Sequence, residues 1–112
     1  WSFDLATNIL SPLSDGPGEQ ARPVIFSTPD AQHAMGVWSA QQPSKGFEQA
    51  GYGRFRFEAE QVVKWNCVFR EKHEKRLPAG DYSYRCYVLV GSLENVKETM
   101  TSLYQRYQGS CQ

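Results

Sequence analysis

Tyr52-Gly53-Arg54-Phe55-Arg56-Phe57-Glu58, Val62-Val63-Lys64-Trp65-Asn66-Cys67-Val68-Phe69-Arg70 and Tyr82-Ser83-Tyr84-Arg85-Cys86-Tyr87-Val88-Leu89-Val90 are three runs rich in aromatic and β-branched residues. Apolar and polar side chains alternate along them, as they do in half-buried strands. Successive side chains of a strand point to opposite sides of a sheet. The alternation therefore predicts a core face of Phe55, Phe57, Val63, Trp65, Cys67, Phe69, Tyr82, Tyr84, Cys86, Val88 and Val90. It predicts a second face of Arg54, Arg56, Glu58, Lys64, Asn66, Arg70, Ser83, Arg85 and Tyr87, with Val62, Val68 and Leu89 among them.

Working outward, Leu77-Pro78-Ala79-Gly80-Asp81 is a turn before the third run. Towards the N-terminus, Pro23–Thr28 and Ala34–Ser39 read as a strand pair around Pro29-Asp30, and Trp1–Leu5 alternates like a further strand. Ser11–Pro23, with Asp15-Gly16-Pro17-Gly18, and Gln41–Gly51 read as loops. At the other end Ser92 is placed to cap a helix from Leu93 to Gln108. Leu93, Val96, Met100, Leu103 and Tyr107 recur at helical steps and form one apolar stripe, read as a sheet-facing surface. The expected fold is mainly β (α+β): an antiparallel twisted sheet or half-sandwich of five or six strands with one C-terminal helix. All 112 residues form one domain, with a strand plus loop over 1–21, the antiparallel sheet over 22–91 and the helix over 92–108.

Twelve basic residues balance twelve acidic ones, which argues against a general binder of nucleic acid or of anionic membranes. Apolar residues reach 40%, enough for a folded core, yet no run approaches the roughly 20 residues that span a bilayer. No charged-then-apolar leader opens the chain; the location in the cell stays undetermined. The start at Trp1 rather than Met predicts removal of something upstream or excision from a longer protein. Cys67, Cys86 and Cys111 lack metal-ligand spacing, so neither a metal site nor a cofactor is expected. Cys67 and Cys86 read as small buried strand residues, a cross-strand bridge between them being the alternative.

Phosphate-loop, dinucleotide, zinc-protease and nucleophile-elbow motifs are missing, and no catalytic residue is assigned. The informative feature is the second face. Arg54, Arg56, Lys64, Arg70 and Arg85 bring cations from three strands to one surface, and guanidinium forks match carboxylate or phosphate oxygens. Trp38, Tyr52 and Tyr87 offer flat apolar surface for sugar rings or other planar groups. The ligand-binding set is thus His33, Trp38, Arg54, Arg56, Lys64, Asn66, Arg70, Arg85 and Tyr87. The plainer alternative is a solvated face on which Glu58 and Glu60 pair with these cations.

Phe26-Ser27-Thr28-Pro29-Asp30-Ala31, and Leu77-Pro78-Ala79-Gly80-Asp81-Tyr82 leading into a long strand, resemble the C-terminal part of a galactose-mutarotase-like β-supersandwich. The resemblance covers Pro23 to Val90. It implies a sheet face turned towards a sugar. The family's catalytic glutamate lies shortly before the Pro-Asp-Ala turn, where this chain has Ser27 and Thr28, so the resemblance does not carry the epimerase activity over.

These readings converge on a small ligand-binding module for carbohydrate or a small anionic ligand on the polar sheet face. The alternatives are an enzyme or enzyme fragment acting on sugars (epimerase, lyase or hydrolase-like) and a protein-interaction subunit. The missing carboxylate favours a binder. One helix covers only one face of a sheet, so either the N-terminal segments form a second sheet or a homodimer supplies the cover.

Overall fold

Aromatic and β-branched runs broken by Pro and Gly favour short strands joined by turns, and a computed structural model describing residues 1–14, 16–73 and 75–110 shows that outcome. Its elements are β1 (Ser2–Asp4), β2 (Ile9–Ser11), β3 (Gly18–Gln20), β4 (Val24–Ser27), β5 (Ala34–Trp38), β6 (Tyr52–Phe57), β7 (Val62–Cys67), β8 (Tyr87–Gly91) and helix α1 (Leu93–Ser110). Five strands form one sheet in the order β2-β1-β4-β5-β8, and three form another in the order β3-β6-β7. All pairings are antiparallel. The fold is α+β, mainly β.

The helix begins where Ser92 caps it: Asn95 N–H donates to the Ser92 hydroxyl at 3.1 Å, and Val96 N–H to the Ser92 carbonyl at 2.9 Å. Its apolar stripe packs on the larger sheet, where Val96, Met100 and Leu103 join Phe3, Ile25, Ala34 and Trp38 in one buried cluster. The opposite face of that sheet meets the smaller sheet through Val24, Val37 and Tyr52, with Phe26, Met35, Trp65 and Cys67 around them. Three layers result, and the second sheet covers much of the face that the helix leaves bare. Among the described residues no helix is long and apolar enough to cross a membrane.

Several expectations need correction. The loop expected over Ser11–Pro23 contains β3, which extends the smaller sheet by pairing with β6, and its first residue ends β2. The run Tyr82–Val90 is a strand only from Tyr87 onward, and that strand pairs with β5 in the larger sheet, in a different sheet from the other two runs. Residues Ser83 and Arg85 are held by side chains of the loop after β5, which replaces strand pairing there. Along β8 the faces are the reverse of those expected: Tyr87 and Leu89 pack towards the helix layer, whereas Val88 and Val90 are 49% and 81% exposed. Cys86, expected to be buried, is exposed because it precedes the strand; both it and the half-buried Cys67 are free thiols, and Cys111 lies outside the described residues.

The β6–β7 hairpin also sorts its side chains differently. Arg54 stands opposite Trp65 and Arg56 opposite Val63, while Phe55 stands opposite Lys64 and Phe57 opposite Val62. Partners across an antiparallel ladder share a face. The four connecting residues, 58–61, make odd-numbered residues of one strand face with even-numbered residues of the other. Arg54 and Arg56 therefore share a side with Trp65 and Cys67, and Lys64 and Asn66 lie on the other side.

Candidate functional site

The nine residues expected to bind ligand fall into two groups. Six of them are separately placed. His33 closes the β4–β5 turn, where its backbone bonds Thr28, roughly 16 Å along the strand from Trp38 at a rise of about 3.3 Å per residue. Arg54 donates to the Ser14 carbonyl at 2.7 Å and to the Ser14 hydroxyl at 3.1 Å. Arg56 pairs with Glu58 at 3.2 Å, two residues on in the same hairpin arm and not across the ladder, where it faces Val63. Lys64 sits 4.6 Å from the centre of the Phe57 ring. Asn66 turns its buried Oδ1 towards Gly53 and makes no hydrogen bond with it. Arg70 forks onto Glu19 with contacts of 2.5 and 2.9 Å. These cations do not converge on one surface.

The other three, Trp38, Arg85 and Tyr87, come together at one end of the larger sheet. Trp38 ends β5 opposite Tyr87, the first residue of β8. Their rings stack with centres 5.9 Å apart. Helix α1 runs back along the sheet and brings Tyr107 against both, its ring centre 5.3 Å from Trp38 and 6.0 Å from Tyr87. The Tyr107 and Tyr87 hydroxyls share a hydrogen bond, and Arg85 lines the same hollow as both.

Arg85 is positioned through its backbone. The Ser39 hydroxyl donates to the Arg85 carbonyl at 2.6 Å, and Arg85 N–H donates to Gln41 Oε1 at 2.8 Å. Gln41 Nε2 holds the Ser83 carbonyl at 3.2 Å. Ser39 is in turn fixed by Tyr52, whose hydroxyl accepts from Ser39 N–H at 2.9 Å and donates to the Ser39 carbonyl at 3.3 Å. Burial pushes the Tyr52 phenol well above the ordinary tyrosine range, so it serves as a neutral strut. Tyr107 shows the opposite shift: the bond from Tyr87, and then Arg85, hold its phenol below that range. Arg85 is correspondingly raised by Tyr107 and Tyr87.

Two concavities flank this cluster, and Ala40 and Tyr107 line both. One, of about 490 Å³, is bounded by Trp38, Tyr52, Tyr104 and Tyr107 with Asp4, Arg22 and Gln108 at its polar parts. The other, of about 340 Å³, is bounded by Gln41, Ser83, Tyr84, Arg85 and Tyr87. A third hollow of about 570 Å³ opens between the sheets, lined by Trp1, Phe26, Met35, Val63 and Trp65 together with the Arg54 already bonded to Ser14. An aromatic floor with a few convergent polar groups is what small-ligand sites share, and the Tyr107 region has both.

Sequence reading missed Tyr104 and Tyr107 as site residues. Tyr107 was assigned to the sheet-facing stripe, and it does pack there, but its hydroxyl continues past the core edge to Tyr87 and Arg85. Two tyrosines three residues apart near the end of a helical stripe were the available signal, because each has an apolar ring and a polar tip. Among the described residues no group of three or more His, Cys, Asp or Glu is arranged to hold a metal ion. No protein-family model, curated protein or solved structure matches this chain.

Proposed function

We propose that this domain is a ligand-binding module for carbohydrate, with its site around Tyr107 at the junction of α1, β5 and β8. The observation that carries the reading is the meeting of the Trp38, Tyr87 and Tyr107 rings between two adjoining concavities, one of them lined by Arg85. Aromatic faces take the apolar side of a sugar ring, while guanidinium and phenol groups take its oxygens. The reading keeps the resemblance of Phe26–Ala31 and Leu77–Tyr82 to galactose-mutarotase-like β-supersandwich domains as an inference about sugar recognition. It moves the site from the polar face of β6 and β7 to the end of the larger sheet. A thermal-shift screen against neutral sugars, uronates and non-sugar acids tests it: a ligand at a hundredfold over its Kd adds about 2.7 kcal/mol of stability. A Tyr107→Ala variant should lose that shift; sugars that leave the melting temperature unmoved in the unsubstituted chain refute the reading.

We also propose that the chain pairs with a second copy through β8. The exposed Val88 and Val90 on a strand at the edge of its sheet support this. Light scattering at high concentration that returns a 12.8 kDa particle would overturn it.

A further inference from the structure

We propose that the hollow between the two sheets is a second binding site, which takes the alkyl chain of a fatty acid and pairs its carboxylate with Arg54. The hollow shares no lining residue with the concavities around Tyr107, so this site does not depend on the carbohydrate-binding reading.

The inner faces of the sheets close on Val24, Val37 and Tyr52, but beyond that contact Phe26 and Met35 are only half-buried and Val63 is 43% exposed. Leu13, Phe26, Met35, Val63 and Trp65 line a space of about 570 Å³, within the roughly 300–1,000 Å³ of small-molecule sites. Met35 is the ladder partner of Val90, and Val37 of Val88, so the apolar wall continues onto two exposed valines of β8. From Phe26 on β4 to Val90 on β8 is two strand spacings, roughly 10 Å at about 4.8 Å each. An apolar track of that length takes an extended alkyl chain better than a single ring. Met35, at its middle, is unbranched and adapts its shape to what lies on it.

Arg54 supplies the polar end. It lines the hollow on the same face as Trp65, its ladder partner. Its Nε donates to the Ser14 carbonyl at 2.7 Å and its Nη2 to the Ser14 hydroxyl at 3.1 Å, which fixes the guanidinium plane. Gly18, its partner on β3, makes room for it: a methyl group built there would stand 2.7 Å from Nη1. The bonds to Ser14 use one edge of the fork. The other edge, Nη1 with the second Nη2 proton, matches the two oxygens of a carboxylate. Among the described residues no carboxylate pairs with Arg54, and no described residue lining the hollow is acidic. The Trp1 amino group, which donates to the Ile25 carbonyl at 2.9 Å, also favours an anion when protonated.

The test is titration of the whole chain at neutral pH with decanoate, and with decan-1-ol as the same alkyl chain without the charge, both kept below the concentrations at which they aggregate. Trp1 and Trp65 line the hollow, so tryptophan fluorescence follows binding. Decanoate should bind saturably and about tenfold or more tightly than decan-1-ol, the scale of one hydrogen-bonded charge. Arg54→Gln should remove that preference. Because this change also removes the contacts to Ser14, Val63→Glu is the second variant: it places a negative charge at the hollow and should abolish decanoate binding. Val63 is exposed enough for the chain to keep its fold, and melting temperatures are measured alongside for both variants. Equal binding of acid and alcohol, a preference that survives Arg54→Gln, or decanoate binding unchanged by Val63→Glu overturns the assignment. Failure of decanoate to bind overturns it too, and light scattering then shows whether a second copy closes the hollow instead. Each of these outcomes leaves the sugar reading at Tyr107 standing, which its own screen decides.

Discussion

Gly36 lies directly beneath Met100: a methyl group built on the glycine would stand 2.7 Å from Met100 Cε and 2.9 Å from Val96 Cγ1. The helix comes this close to β5 because that position has no side chain. Gly36→Ala should therefore destabilise the fold by about 1–3 kcal/mol, the usual cost of overpacking a filled core. Denaturant unfolding measures it. Adding Met100→Ala, which vacates the contested volume, should make the double variant more stable than the sum of the single effects predicts.

Tyr52 is 2% exposed and its hydroxyl is the partner of both backbone polar groups of Ser39. Tyr52→Phe leaves the Ser39 N–H buried and unpaired and leaves its carbonyl only the Gln42 N–H at 3.3 Å, at a cost of about 1–3 kcal/mol. Because Ser39 holds the Arg85 carbonyl, the effect should reach the site. NMR chemical shifts of Arg85 and Tyr87 should change in this variant; a change confined to Ser39 would show that the strut does not extend to Arg85.

Glu19 ties three segments together, accepting from Arg70 after β7 and from Gly51 N–H before β6 at 3.0 Å. The Arg70 bond holds the Glu19 carboxyl below the ordinary glutamate range. A carboxyl lowered by folding stabilises the native state above its unfolded pKa, and that contribution is lost as pH falls through the lowered folded value. Glu19→Gln should cost about 1 kcal/mol or less at neutral pH, since both partners are partly solvated, and should reduce the loss of stability on acidification. Asp4, Asp30 and Glu48 are shifted in the same direction, so part of the acid slope should remain. Urea titrations over a pH series would show it; an unchanged slope would rule out the pair as a source of acid sensitivity.

As pH rises, Tyr107 should ionise ahead of Tyr84, which its bond to Glu71 pushes up to about 12, and ahead of the buried Tyr52. Phenolate absorbance compared between the parent chain and Tyr107→Phe isolates that first step. Arg85→Gln should move it to higher pH, because the guanidinium favours the anion. An early phenolate signal that persists in Tyr107→Phe would assign the low value to another tyrosine.

The sequence by itself determined the local structure. Ser92 as cap, the Val96–Met100–Leu103 stripe, the β4–β5 pair and the strand character of Tyr52–Phe57 and Val62–Cys67 all follow from side-chain period and turn chemistry, which act within a few residues. Period two places neighbours on opposite faces of one strand, but it does not say which face of the next strand joins them. That was settled by the four-residue turn after Phe57, which set Arg54 beside Trp65 and separated the cations of β6 from Lys64. Likewise, the alternation around Tyr87 was correct, but its direction depended on which side α1 packed. The site is a tertiary product for the same reason: Trp38, Arg85 and Tyr107 come from three segments distant in the chain, and their meeting follows from how the helix lies across the sheet.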